Sequence, residues 1–349
     1  MQTTRRQFLP LALAAMATPL AARAFAAGKD NIIIEPVTPS SRDGTPYSRF
    51  ANMGPLGYPE GPIHVTPSAD LSLAVWAPPG VDEGRLVVFS HGELELPQDY
   101  DRLLRHWASH GFIVAAPLHD DSVVRSGLMA RQQEADNERG GSWDPGAVFR
   151  DSKYWRTRPR DCRGVLEAIP RIEQACRMRI LDERPVIAGH GFGAFAAQLL
   201  LGVHATGSAG ELYEADPRWY AGMLLSPQGR GVLGLGDGAW DNLARPILVA
   251  TGNGDNDATG QDPNVKLEPF SLSPPGNRHL AWFGHINHTL WGGNQVRPGT
   301  AQELVFQDLL AVTTAFLDAY SNYNKETFGL LTGDYLTTAS GGRMSAHYR

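Results

Sequence analysis

Two polar turns in the second half of the sequence carry side chains suited to acid–base chemistry. The first contains Asp255 and Asp257, and the second contains His285 and His288. A carboxylate that accepts a hydrogen bond from an imidazole holds the ring in one tautomer and stabilises its protonated form, so the ring can act as a general base. We take Asp255 as the acid and His288 as the base, and Asp257 and His285 remain as alternatives.

The sequence also contains the turn that would present a nucleophile to that histidine, but the nucleophile is absent. Residues 189–193 read Gly-His-Gly-Phe-Gly, between an apolar run at 184–188 that predicts a buried strand and a run at 194–201 that predicts a packed helix. Strand, G-x-S-x-G and helix form the nucleophile elbow of α/β-hydrolases. Gly191 stands at the position of the serine. Because glycine adopts the left-handed backbone of such a turn freely, we expect the turn to form and the covalent step to be lost.

Backbone donors are predicted at two places to hold the oxyanion of an ester-cleavage reaction. His91 and Gly92 follow the apolar run 86–90, and in hydrolases of this type the N–H just past such a turn donates to the oxyanion. We assign this donor to Glu93 and its partner to Phe192, which follows the elbow position. Backbone N–H groups do not depend on side chains, so this oxyanion hole is expected to survive the loss of a serine.

The elements that must position these residues follow from the hydrophobic pattern. Apolar runs that alternate with helical patterns predict an α/β-hydrolase fold, with a mostly parallel sheet flanked by helices. The order nucleophile, acid, histidine is the order that this fold uses. Strands are predicted at 32–34, 71–76, 86–90, 112–118, 184–188, 221–225, 246–250 and 279–283, and helices at 100–109, 159–169, 194–201 and 301–320.

Two further segments are assigned from their composition. The polar, Gly-containing segment 121–155 is predicted either as a cap over the site or as a plain surface loop. The hydrolase domain is predicted to span 27–323, and the Gly/Ser/Thr-rich residues 324–349 are predicted to be a loosely attached C-terminal tail.

Four motifs together resemble the bacterial dienelactone-hydrolase-like and platelet-activating-factor-acetylhydrolase-like group. They are Phe89-Ser90-His91-Gly92, His119-Asp120-Asp121-Ser122, Arg158-Pro159-Arg160-Asp161 and Gly189-His190-Gly191-Phe192-Gly193. The resemblance spans about residues 71–317. It implies an esterase that acts on short acyl esters or lactones without a metal or cofactor. It also implies position 191 as nucleophile, His288 as base, Asp255 as acid, and Glu93 and Phe192 as oxyanion donors.

Two positions depart from that group. Gly191 stands where its members carry serine, and Ser226 stands where some of them carry the acid, so Asp255 must serve in this chain. The sequence therefore predicts an ester hydrolase by family that is weak or inactive because of Gly191. The alternative is a non-catalytic protein, a pseudoenzyme, that binds an ester or acyl ligand.

The N-terminal residues predict export. The segment 4–9 reads Thr-Arg-Arg-Gln-Phe-Leu and resembles a twin-arginine signal, and Ala24-Phe25-Ala26 supplies a cleavage site. The apolar run 9–20 between them is too short to span a bilayer. We therefore expect a signal peptide at 1–26 and a periplasmic or secreted protein without a stable membrane span.

Composition limits the partners. The 349 residues carry a net charge of −6, and no long Lys/Arg cluster is present, which argues against nucleic acid as a partner. The expected partner is a small-molecule ester or lactone, and the sequence makes no prediction of the oligomeric state.

Overall fold

A nine-stranded, mostly parallel sheet forms the centre of the protein. The computed structural model describes residues 45–127, 146–207 and 210–349. The strands of the sheet are β1 Ile63–Ser68, β2 Leu71–Trp76, β3 Glu83–Ser90, β4 Phe112–Pro117, β5 Arg179–His190, β8 Ala221–Leu225, β9 Ile247–Gly252, β10 Arg278–Phe283 and β11 Met344–Tyr348. The strands β6 His204–Gly207 and β7 Gly210–Tyr213 pair separately as a hairpin.

The strand order gives the α/β-hydrolase fold predicted from the sequence. It runs β1-β2-β4-β3-β5-β8-β9-β10-β11. The six strands from β4 to β10 in this order are parallel, whereas β1 and β2 at one edge and β11 at the other are antiparallel to their neighbours. The functional residues of such a sheet are expected at the carboxyl ends of its parallel strands.

Helices cover both faces of the sheet. They are α1 Pro46–Ala51, α2 Asp101–Ser109, α3 Ala147–Arg150, α4 Ser152–Glu167, α5 Ile169–Cys176, α6 Phe192–Leu200, α7 Glu268–Leu272, α8 Ala301–Tyr320, α9 Lys325–Thr332 and α10 Tyr335–Ala339. Short 3₁₀ helices span Pro97–Tyr100 and Pro263–Leu267. Among the described residues, none of the helices combines the length and the apolar character needed to span a membrane.

The two faces of the sheet bury two separate apolar cores. Successive side chains of a strand point to opposite faces. In β3, Val87 and Phe89 accordingly lie in the core beneath α2 and α8, and Leu86 and Val88 lie in the core beneath α4 and α6. The apolar spacing that predicted α2 is confirmed by its buried side chains, which include Trp107.

Two expectations about element boundaries and packing are wrong. The helix predicted to begin at Pro159 begins earlier, at Ser152, because Asp151 caps α4 by accepting a hydrogen bond from the Lys153 N–H at 2.9 Å. The residues after Tyr323 are not loosely attached. They form α9, α10 and β11, and β11 completes the sheet beside β10. The strand predicted at 32–34 lies outside the described residues.

Glycines allow the turn between β5 and α6 to pack directly against the loop that follows β3. A Cβ atom on Gly193 would lie 1.9 Å from the Ser90 carbonyl oxygen, and one on Gly189 would lie 2.3 Å from the backbone of Gly193. Gly191 has φ +52°, which a side chain would strain by about 1–3 kcal/mol. Each of the three positions in the turn therefore favours glycine for a different steric reason.

We expect Gly193→Ala to destabilise the protein, because the new methyl group must push the loop after β3 away from α6. Overpacking of this kind typically costs about 1–3 kcal/mol, which urea unfolding would measure. Gly236→Ala is the matched control, since a Cβ atom there meets nothing within 4 Å. Equal stability of the two variants would contradict the close approach.

The two cysteines of the chain are free thiols. Cys162 is buried in α4, and Cys176 is half-buried at the end of α5. Burial raises the pKa of Cys162 to about 12 and that of Cys176 to about 11.

Candidate functional site

The predicted site residues converge at one edge of the sheet. Glu93 follows β3, Gly191 follows β5, Asp255 follows β9 and His288 follows β10, and all four of these strands are parallel. The structure therefore brings together four segments that are separated by up to 195 positions in the sequence.

His288 faces the elbow glycine. A Cβ atom on Gly191 would lie 3.5 Å from the Nε2 atom of His288 and 3.3 Å from the Oε2 atom of Glu93. The Gly191 N–H donates to the Leu225 carbonyl oxygen at 3.0 Å, and the Phe195 N–H donates to the Gly191 carbonyl oxygen at 3.1 Å. These backbone bonds hold the turn so that position 191 points at the imidazole.

Asp255 lies behind the imidazole ring, as the sequence led us to expect. His288 Nδ1 donates to Asp255 Oδ1 at 3.1 Å, and the Thr251 hydroxyl donates to the other carboxylate oxygen at 2.8 Å. Burial opposes the charged form of Asp255, but the bond from His288, the charge of Lys266 and the bond from Thr251 outweigh it and lower the pKa to about 2. Asp255 therefore stays ionised at every pH at which the protein would work.

The pKa of His288 is shifted in the opposite direction. Burial lowers it, but the hydrogen bond to Asp255 and the negative charges of Glu93 and Asp255 outweigh burial, and the net shift is upward. The imidazolium form is thus stabilised near neutral pH. The rival His285 is exposed, and the rival Asp257 accepts a hydrogen bond from Lys266 at 2.7 Å.

Ser226 and Lys266 complete the side of His288 that faces away from the elbow. The Ser226 hydroxyl donates to Asp255 Oδ1 at 2.9 Å and accepts from Lys266 Nζ at 2.7 Å. It lies 3.1 Å from His288 Nδ1, whereas the elbow faces Nε2. Ser226 is fully buried, so it supports the carboxylate and cannot serve as the nucleophile of the Nε2 side.

We call residues 91–95 after β3 the oxyanion loop, because they include the predicted donor Glu93, and a buried arginine holds this loop. Arg158 donates to both carboxylate oxygens of Asp121, at 2.9 and 2.6 Å, and to the carbonyl oxygens of His91 and Gly92. Its guanidinium also lies 4.6 Å from the ring centroid of Phe192. Arg158 thereby fixes the loop after β3, which carries the predicted donor Glu93, against the start of α6, which carries the predicted donor Phe192.

The two predicted oxyanion donors lie in different local structures. Phe192 begins α6, and the first N–H groups of a helix have no partner within the helix. Glu93 lies in the loop after β3, and its side-chain oxygen Oε2 faces position 191. The residue chosen for its backbone thus also places a carboxylate in the site.

A second polar chain packs against His288. The His190 ring lies 4.5 Å from the His288 ring, centroid to centroid. His190 Nδ1 is hydrogen-bonded to the Tyr100 hydroxyl, which also donates to Glu95. Glu95 in turn accepts from the Gly92 N–H at 3.1 Å. This chain of hydrogen bonds links the neighbouring imidazoles of His190 and His288 to the oxyanion loop.

Sequence reasoning missed three side chains of the site. Lys266 carries no local signal, because only the folded loop after β9 brings it to Ser226 and Asp257. The carboxylates of Glu93 and Glu95 had a signal, since both follow the His-Gly turn directly. Within the described ranges, no three His, Cys, Asp or Glu side chains cluster in a way that could hold a metal ion.

Comparison with known proteins agrees with the fold. The chlorophyllase family model matches residues 60–136, less than a quarter of the chain, and no curated protein matches the chain significantly. The matched residues include β3 and Glu93 and end before Gly191. Together with the sheet topology, the match agrees with an α/β-hydrolase fold. Over these residues the chain is similar to chlorophyllases.

We expect His288 in the native protein to titrate above 6.5, its ordinary value, and Asp255→Asn to lower its pKa. The substitution removes the hydrogen-bonded carboxylate and its charge, so burial then dominates. NMR titration of the imidazole would measure both values. Asp257→Asn is the matched control and should lower the His288 pKa less, because Asp257 acts on the imidazole only through its charge and makes no hydrogen bond to it in the structure. An equal shift in both variants would contradict the assignment of Asp255.

Proposed function

We propose that the protein hydrolyses short acyl esters or lactones with a water molecule bound beside His288, without an acyl-serine intermediate. The observation that carries the proposal is the direct approach of His288 Nε2 to position 191, with ionised Asp255 behind the ring. A water molecule in the space beside Gly191 would stand where a serine hydroxyl stands in the elbow of other α/β-hydrolases. The narrower likeness to the dienelactone-hydrolase-like group supports the choice of substrate.

A cleft beside the site supports a small-molecule substrate. Its volume is about 440 Å³, within the usual range for ligand pockets. The side chains that line it include Phe149, Trp155, Val232, Leu233 and Thr259. Phe149 packs edge-on against Phe192, with ring centroids 5.3 Å apart, and Thr259 donates to Asp257. The cleft therefore lies one side chain away from Phe192 at the elbow and from Asp257 in the loop after β9.

The proposed reaction is slow by the standards of serine esterases. When a member of a serine triad is lost, the oxyanion hole and substrate binding alone retain about 10³–10⁴-fold catalysis over water. The intact His288–Asp255 pair adds proton transfer to this residual rate. We expect turnover that is measurable and far below that of a serine esterase.

Ligand binding without turnover is the second candidate function. It is favoured by Gly191, which relaxes the turn while removing the nucleophile and leaving the cleft and the buried ion pairs in place. A protein of this kind would hold an ester or acyl ligand in the same cleft.

We also propose export, and a cap over the cleft. The twin-arginine-like segment at 4–9 supports a periplasmic or secreted location, although residues 1–44 lie outside the described part of the chain. Residues 146–155 of the segment proposed as a cap contribute Gly146, Phe149 and Trp155 to the wall of the cleft. Residues 128–145 of that segment lie outside the described ranges.

We expect the native protein to hydrolyse short p-nitrophenyl esters slowly and to be insensitive to serine-directed phosphonates. His288→Ala should lower this activity strongly because it removes the imidazole that, backed by Asp255, faces the attacking water and exchanges protons with it. His285→Ala is the control and should retain it. Thermal stabilisation by an ester analogue without any turnover would favour the binding protein instead.

We expect Gly191→Ser to create a conventional serine esterase, because its hydroxyl would be held next to His288 Nε2. The variant should gain phosphonate labelling and a burst of alcohol release, at a cost of about 1–3 kcal/mol from the positive φ. Gly191→Ala carries the same backbone strain without the hydroxyl and is the matched control. Absence of labelling in a folded Gly191→Ser protein would contradict the proposed geometry of the elbow.

A further inference from the structure

The space beside Gly191 is flanked by two titratable groups and not by one. From the position that a Cβ atom on Gly191 would take, Glu93 Oε2 lies 3.3 Å away and His288 Nε2 lies 3.5 Å away. A water molecule in van der Waals contact with the Gly191 Cα atom, on the side that both groups face, would be within reach of a carboxylate and an imidazole at the same time. In a serine esterase the side chain of the nucleophile would fill this space.

We propose that Glu93 is the general base that activates the water, and that His288 is the general acid that protonates the leaving alcohol. This assignment rests on the proposed hydrolase function. It adds a catalytic carboxylate, which faces the space that a serine side chain would otherwise occupy.

Glu93 is chosen because the neighbouring carboxylates have other partners. Glu95 accepts hydrogen bonds from the Gly92 N–H and the Tyr100 hydroxyl. Asp257 accepts from Lys266 and Thr259. Both carboxylates are thereby committed to holding loops, whereas the Glu93 carboxylate faces position 191.

The electrostatic surroundings of Glu93 suit a base that works near neutral pH. Burial raises its pKa to about 7, and the charges of Glu95 and Asp257 act in the same direction, while His288 and its own N–H oppose them. A catalytic base is most effective when its pKa lies near the working pH.

His288 suits the complementary role of the acid. Asp255 and Glu93 favour its imidazolium form, whereas burial and Lys266 oppose it, and the net shift of its pKa is upward. The neighbouring imidazole of His190 is held neutral, since burial and the charge of His288 lower its pKa. Around neutral pH the pair can therefore hold one ionised carboxylate and one imidazolium.

The reaction balances with these two groups. The Glu93 carboxylate removes a proton from water as the water oxygen bonds to the ester carbonyl carbon and the carbonyl π-electrons move to oxygen. The tetrahedral intermediate then collapses, the bond to the alcohol oxygen breaks, and His288 donates its proton to that oxygen. A proton passed from the Glu93 carboxylic acid to His288 through the next water restores the starting state.

The test compares Glu93→Gln in two backgrounds, the native chain and Gly191→Ser, with p-nitrophenyl acetate as the probe. In the native chain we expect kcat to fall about 10²–10⁴-fold with KM little changed. The acidic limb of the pH–rate profile, which reflects ionisation of Glu93 near pH 7, should disappear. In the Gly191→Ser background we expect a much smaller loss, because the serine and not water is then the nucleophile and Glu93 acts only through its charge on His288. Glu93→Asp keeps a carboxylate and should recover part of the native rate.

Three outcomes would overturn the assignment. An equal loss in both backgrounds would mean that Glu93 only shapes the loop. Unchanged kcat in native Glu93→Gln would remove Glu93 from the reaction and leave hydrolysis at His288 intact. A native chain without any esterase activity would overturn the proposed hydrolase function itself, and the role of Glu93 with it.

Discussion

The site depends on one buried ion pair, between Arg158 and Asp121. Both side chains are fully buried, and a buried charge is tolerated only when its hydrogen-bonding groups are satisfied. Arg158 meets this requirement by donating to Asp121 and to two carbonyl oxygens of the oxyanion loop. The cost of leaving this charge unpaired therefore fixes the loop, and with it the position of Glu93 relative to α6.

The Arg158 network extends into neutral, buried histidines. Burial and the charge of Arg158 lower the pKa of His119, and its partial compensation comes from Asp161, 3.0 Å away. His119 Nε2 is hydrogen-bonded to the Ser90 hydroxyl at 2.8 Å. His119 thus holds Ser90 at the end of β3, while Glu95 and Tyr100 hold the N–H of Gly92 in the loop that follows. A loop fixed from both sides can keep a carboxylate close to an imidazole without collapsing onto it.

Glycine at the elbow changes the balance between fold stability and chemistry. A serine at position 191 would strain the backbone, and it would also approach the Glu93 carboxylate more closely than most side chains approach a neighbour. Gly191 removes both penalties. The same absence of a side chain leaves Glu93 and His288 both facing one small space, and the proposed role of Glu93 rests on this arrangement.

Much of the fold followed from the sequence because it depends on local apolar patterning. The runs that became β2, β8 and α8 were located almost to the residue, since each is bounded by polar or turn-forming positions. Asp255 and His288 could be chosen from chain order and from their places after apolar runs. Apolar runs and chain order can be recognised in the sequence without any knowledge of tertiary contacts.

The remaining features depend on contacts that a linear reading does not contain. Lys266 reaches the acid loop only because the 3₁₀ helix Pro263–Leu267 folds back beside β9. The orientation of the Glu93 carboxylate depends on its neighbours in three other loops. The C-terminal residues were misjudged because their Gly/Ser/Thr content hides Asn324, which caps α9, and the edge strand β11, whose pairing partner lies some 60 residues earlier.

The burial of the two thiols affects how the protein reacts with oxidants. Disulfide exchange and oxidation proceed through the thiolate, and both sulfur atoms are held in the protonated form far above neutral pH. Mild oxidants would therefore meet no ready nucleophile on Cys162 or Cys176. Both cysteines are therefore expected to stay reduced and unlinked under mildly oxidising conditions.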